Sequence, residues 1–153
     1  MAMDQIDRSI IYHLQKEGRL SNVELAKRVG LSPTPTLRRV RTLEKEGTIA
    51  GYRALINPEA VGRSFRVMLW LSLSEVNRDT MSTLEQALAE IPDVVEAYRM
   101  FGAPDYFLRV AVADSDAYEA LYTTTLASLP YVQRIESMIA MKEIKSGVEL
   151  PVE

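Results

Sequence analysis

The chain has 153 residues, 47% hydrophobic and 25% charged, enough to bury the core of one ordinary domain or two small ones. It has no cysteine, which excludes a disulfide framework and thiolate metal sites. Its net charge of −3 argues at first against nucleic acid, but residues 1–62 carry +3 and residues 63–153 carry −6. A basic N-terminal third on an acidic body fits a DNA-binding module attached to something else. The excess is modest, so several copies are expected to act together. The N-terminus is acidic where a signal peptide starts basic, and the longest strongly apolar run, Val67 to Leu71, is too short to span a bilayer. A cytoplasmic protein is expected.

Asp4 to Lys16 is predicted as a helix, with Ile6, Ile10 and Leu14 at helical spacing and Ile11 widening the stripe. Gly18 stops it. A second helix opens at Asn22 behind Ser21, with Glu24 positioned to complete a capping box. Val23, Leu25, Ala26 and Val29 supply its buried side, and Gly30 ends it. Ser32 can cap a third helix, whose first turn tolerates Pro33 and Pro35 because its N–H groups lack intrahelical partners. The helical wheel gathers Thr36, Leu37, Val40 and Leu43 on one side, and Thr34, Arg38, Arg41, Thr42 and Lys45 on the other. A short helix held by its apolar side with arginines outward suits the DNA major groove. A helix-turn-helix is therefore placed on residues 22–41. Ser32, Thr34, Thr36, Arg38 and Arg41 are expected to face the groove, with Arg38 the best candidate for reading a base. Ser21, Asn22 and Lys45 are expected on phosphates, and Arg39 is a further candidate contact.

Thr48 to Leu55 reads as a short extended segment, a wing or a joining strand. Asn57-Pro58 and Gly62 punctuate a linker, so the expected domains are residues 1–62 and 63–153. Beyond the linker the predicted order is strand Phe65–Leu73, helix Arg78–Ala89, strands Val94–Met100 and Tyr106–Ala113, helix Asp116–Leu129 and strand Val132–Lys142, before a polar tail. A shift of 38 residues superposes Leu88 on Leu126, Pro92 on Pro130, Val94 on Val132 and Met100 on Met138. Two such halves give a ferredoxin-like βαββαβ domain, so the fold class is α+β. Its helix-free sheet face needs cover, most simply from a second copy, with Trp70, Met138, Ile139 and Met141 as candidates.

Catalytic chemistry finds little support. His13 is the only histidine, no zinc or iron spacing exists, and no Gly-rich phosphate loop follows a strand. Asp114 and Asp116 read as a helix start. No enzyme activity, metal or cofactor is expected.

The run from Asp4 to Gly62 closely resembles the N-terminal half of the Lrp/AsnC (feast/famine) regulators. The loop GAPDY (Gly102 to Tyr106), the turn LPYV (Leu129 to Val132) and the ending MKEIK…LP (Met141 to Pro151) resemble that family's effector-sensing domain. The resemblance implies a transcription factor that binds double-stranded DNA, dimerises through its βαββαβ domains, assembles into octamers or similar rings, and takes an amino acid or similar effector between subunits. It places Gly102, Ala103, Pro104, Asp105 and Tyr106 in the ligand loop, and Met138, Ile139 and Ala140 beside the cleft. Relatives commonly carry an acidic residue where this chain has Ala103, and Pro104 removes a backbone donor, which leaves Asp105 to meet an ammonium group. Two alternatives accompany this reading: an effector-blind architectural DNA-binding protein, and an enzyme like the haem-precursor decarboxylases. The latter resemble the family but rely on histidines that the C-terminal half here lacks.

Overall fold

The first helix begins where the sequence supplies an acceptor for its orphan N–H groups. The Asp4 carboxylate accepts from the N–H groups of Ile6 and Asp7, and Asp7 reaches back to the N–H of Asp4, closing a capping box ahead of α1 (Gln5–Lys16). Ser21 and Glu24 close the expected box at α2 (Asn22–Val29), which ends at Gly30 in the left-handed region, φ 70°. There the N–H of Leu31 returns to the carbonyl of Ala26 at 3.0 Å. α3 (Pro33–Lys45) follows. Ser32 stands at its N-cap but its hydroxyl makes no capping hydrogen bond; Pro35, at the N3 position where a cap finds a donor, has no N–H.

These coordinates come from a computed structural model, which describes residues 3–145 and 149–152. Two compact units emerge: Met1–Leu55 with Ile144–Glu153, and Ile56–Glu143. Ile10, Leu25 and Leu43 form the core of the first, with Ile6, Ile11, Leu14, Leu20, Val29, Val40 and Ile49 packed around them. Val23, expected inside, is exposed. Thr48 to Leu55 forms neither a wing strand nor a joining strand. The Ile49 N–H closes the end of α3 on the Leu43 carbonyl, and the segment has no ladder partner among the described residues. The C-terminal residues join this unit through the Gln15 side chain. Its amide nitrogen donates to the Leu150 carbonyl at 3.0 Å, and its oxygen accepts from the Leu150 N–H at 2.7 Å. The boundary expected at residue 62 thus differs from the observed division between residues 55 and 56. The Pro and Gly punctuation instead builds a single 3-10 turn, Glu59–Val61, within the second unit. Residues 146–148 of the expected polar tail, with Met1, Ala2 and Glu153, lie outside the described residues.

The second unit comprises β1 (Phe65–Leu73), α4 (Arg78–Ala89), β2 (Val94–Arg99), β3 (Tyr106–Val112), α5 (Ser115–Thr124) and β4 (Val132–Ile139). The sheet order is β2-β3-β1-β4 with every neighbouring pair antiparallel, the ferredoxin-like arrangement. Strand alternation sends Val67, Leu69, Leu71 and Leu73 with Tyr106, Leu108, Val110 and Val112 into the core beneath the helices. The repeat has structural content: Leu88 and Leu126 are both buried, and Val94 and Val132 start equivalent strands. Two boundaries fall short of expectation by more than one residue. α5 ends at Thr124, where Thr123 and Thr124 bond back to the Ala120 carbonyl and compete with the helix, so Leu126 reaches the core from a separate 3-10 turn. β4 stops at Ile139 rather than Lys142.

One polar node ties helix to sheet. Glu85 on α4 accepts from the Tyr106 hydroxyl at 2.8 Å and from Arg99 Nε at 2.7 Å. Arg99 first, and Tyr106 second, hold the Glu85 carboxyl below its usual range. A depressed folded pKa contributes stability above the unfolded value that is lost as pH falls through the folded one. Glu85→Gln should therefore lower stability at neutral pH yet flatten its decline below about pH 4.3, measured by urea midpoints across that range.

Candidate nucleic-acid interface and effector loop

α3 turns Thr36 and Leu43 into the core and leaves the opposite side open. Thr34, Leu37, Arg38, Arg41, Thr42 and Lys45 line one shallow depression along it. Its cations differ from Arg28 and Arg39 in their partners. Arg28 is bound to Glu17 at 2.6 Å, and Arg39 to Asp4 and Asp7 at 2.7 and 2.8 Å. Arg38, Arg41 and Lys45 make no ion pair among the described residues, although Glu44 and Glu46 lie nearby in sequence. Glu44 is occupied by the Tyr52 hydroxyl at 3.0 Å, an interaction that, after burial, helps push the phenol up to about 12.

Several expected contacts are used by the fold itself. Thr36 is fully buried and its hydroxyl donates to the Ser32 carbonyl, so it cannot face a groove. Arg39 is turned across the start of α1, where two carboxylates hold it. The Ser21 hydroxyl is shared with Glu24, and the Asn22 amide donates to the Pro33 carbonyl at 2.8 Å, bracing α2 against α3. Ser32, Thr34, Arg38, Arg41 and Lys45 keep exposed or half-exposed polar ends. Leu37 is the residue of α3 that periodicity misplaces: expected inside, it is 38% exposed on the basic side. The signal available in the sequence was its neighbourhood. It lies three residues after Thr34 and four before Arg41, a spacing that keeps it near the outer stripe.

The GAPDY loop joins β2 to β3. Gly102 has φ 125°, a conformation that suits glycine. The Asp105 N–H donates to the Leu71 carbonyl at 2.9 Å, and its carboxylate accepts from the Leu73 N–H at 2.8 Å, where the pairing of β1 with β4 shifts register. Asp105 therefore anchors the end of β1 with one oxygen and has the other left over. The Tyr106 side chain is in the core, on Glu85, and only its main chain borders the loop. Ala103 is exposed and Pro104 half-buried.

Met138, Ile139 and Ala140 do not join that loop within one chain. Tyr106 pairs with Leu71, but Met138 and Ile139 pair with Met68 and Val67, three and four residues away along β1, or about 10–13 Å. The register also separates their faces. Met138 shares the helix-free face with Met68, and Ile139 shares the helix side with Val67. On the helix-free face Tyr98, Phe107 and Trp70 form a row, with ring centroids 6.2 and 5.3 Å apart. His13 is half-buried with Tyr12 against its ring edge. Among the described residues no group of His, Asp or Glu is arranged to hold a metal, and no helix is long and apolar enough to cross a membrane.

A helix-turn-helix and a ferredoxin-like sheet domain in one chain define a two-part regulator architecture. A winged helix-turn-helix DNA-binding family matches residues 3–50, and the Lrp/AsnC ligand binding domain family matches residues 66–150. The leucine-responsive regulatory proteins of Escherichia coli K12 and Klebsiella pneumoniae are each 41% identical over 150 residues, covering 98% of this chain and 92% of theirs. A transcriptional regulator of Neisseria meningitidis solved with L-Met superposes with a TM-score of 0.93 at 35% identity, covering 98% of this chain and 97% of that one. The feast or famine regulatory protein of Mycobacterium tuberculosis, complexed with L-methionine, gives 0.83 at 34% identity, covering 97% and 99%. The chain belongs to the Lrp/AsnC family of DNA-binding transcription regulators.

Proposed function

We propose that this protein is an amino-acid-responsive regulator whose assembly sets the spacing of paired α3 helices on DNA. The observation that carries the DNA-binding part is the sorting of cations. Arg28 and Arg39 are neutralised by carboxylates, whereas Arg38, Arg41 and Lys45 share one exposed helix side without an ion pair among the described residues. Unpaired cations on a rigid helix are available to phosphates and to base edges. In this reading Arg38 reads a base, Arg41 supports it, Ser32 and Thr34 approach the groove, and Lys45 holds a phosphate. Ser21 and Asn22 contribute by bracing the motif, with any phosphate contact secondary.

Two copies pair through the helix-free sheet face, where Met68, Trp70, Tyr98, Phe107 and Met138 are incompletely covered. Two α3 helices then address half-sites about one helical turn apart. Dimers assemble further into an octamer or similar ring. The effector, an amino acid or a similar acid, lies between copies, a reading supported by the offset of about 10–13 Å along β1 between the loop and Met138–Ile139 in one chain. The remaining Asp105 oxygen meets its ammonium group. The two relatives solved with methionine are consistent with an amino acid of this kind. A ligand shifts assembly only by binding one form better than another.

Sedimentation velocity with each of the twenty amino acids tests this, with methionine and leucine as the first probes. At least one should change the size distribution, and Asp105→Asn, which keeps the acceptor for Leu73 but not the charge, should abolish the response. Unchanged sizes across the whole set would remove the effector mechanism.

A further inference from the structure

Leu37 stands 38% exposed on the side of α3 that also carries Thr34, Arg38 and Arg41. An exposed leucine alone is ordinary. This one lies beside Arg38 and one turn before Arg41, and lines one depression with both and with Lys45, cations that lack ion pairs among the described residues, so a duplex drawn to those charges meets an apolar side chain next to them. Leucine neither donates nor accepts a hydrogen bond. The major groove offers one apolar feature, the C5-methyl group of thymine. We propose that Leu37 packs on a thymine methyl, so that the preferred half-site carries a thymine next to the base pair addressed by Arg38. Consecutive helix residues diverge by about 100°, which places the two side chains on neighbouring steps rather than on one base pair. The same contact works against cytosine, whose amino group would be stranded against the leucine without an acceptor. The inference rests on the proposed reading of α3 as the DNA-reading helix.

The test separates the two. A duplex is enriched from a randomised pool with the wild-type protein. It is then synthesised with thymine throughout and with deoxyuridine throughout, forms that differ only in methyl groups. Wild-type protein should bind the thymine form more tightly, with Leu37 accounting for about fourfold per half-site, the equilibrium equivalent of burying one methyl group. Leu37→Ala should lose that share of the preference while keeping the wild-type affinity for the uracil form. Leu37→Gln, of similar size and helix propensity, must lose it too and serves if the alanine variant fails to fold. A wild-type protein indifferent to the methyl groups, or a preference undiminished in the folded variants, overturns the role of Leu37 and leaves the DNA-binding reading standing. Failure to enrich any duplex overturns that reading, and the inference with it.

Discussion

Replacing Arg38 by alanine should cost about 1–3 kcal/mol of DNA-binding free energy and relax discrimination at one base pair of each half-site. The physical ground is that Arg38 has no carboxylate partner among the described residues to hold it back from the groove. Lys45→Ala should instead weaken all sequences alike and reduce the salt dependence by about one counterion per copy, as expected for a phosphate contact. Arg39→Ala supplies the contrast. It removes the counter-charge from Asp4 and Asp7 at the start of α1, so it should lower the unfolding temperature of the N-terminal unit and leave base preference intact. Binding to a panel of base-substituted duplexes at fixed salt distinguishes the three. A loss from Arg38→Ala that is equal at every base would assign that arginine to the backbone.

Ile10→Ala should remove most of the stability of the DNA-binding unit while leaving that of the sheet unit unchanged. Ile10 is fully buried in a core whose other buried members among the described residues are Leu25 and Leu43. Truncating a buried isoleucine costs about 2–5 kcal/mol. A unit of this length has roughly 3–8 kcal/mol in total at typical stability per residue. The sheet unit has its own core, built from β1, β3, α4 and the turn carrying Leu126, and none of it depends on Ile10. Calorimetry or hydrogen exchange should show α1–α3 melting or exchanging earlier than in the wild type and β1–β4 protected as before. A single transition moving as one for both units would contradict this independence.

The elements of both units were legible because their periodicities are clean. The capping box at Ser21, the glycine at position 30 and the alternation in β1 leave little choice of local structure. The 38-residue repeat similarly announced the βαββαβ topology. What failed was decided by partners outside the local window. Nothing near Arg39 in sequence distinguishes it from Arg38, and its role comes from carboxylates more than thirty residues earlier. The wheel grouped Thr36 with the apolar residues while it was also expected at the groove, and packing decided for the wheel. Leu37 and Val23 looked like core because apolar residues usually are, but a three-helix unit is too small to enclose every one. In the effector loop Asp105 was visible as a candidate, while its bond to the Leu73 N–H depended on which strand ends meet there. The separation of Met138 from that loop could be inferred only once the register of β4 on β1 was known.

The Gln15 amide grips Leu150 through its main chain alone, presenting a donor and an acceptor as a neighbouring strand would. The Leu150 side chain itself is largely exposed. Such a grip is blind to side-chain identity, so evolutionary drift at position 150 should be tolerated for every residue that retains an N–H. Proline alone breaks half of the latch. Selection at this point of contact acts on position 15, where shortening glutamine by one methylene to asparagine would carry the amide out of reach.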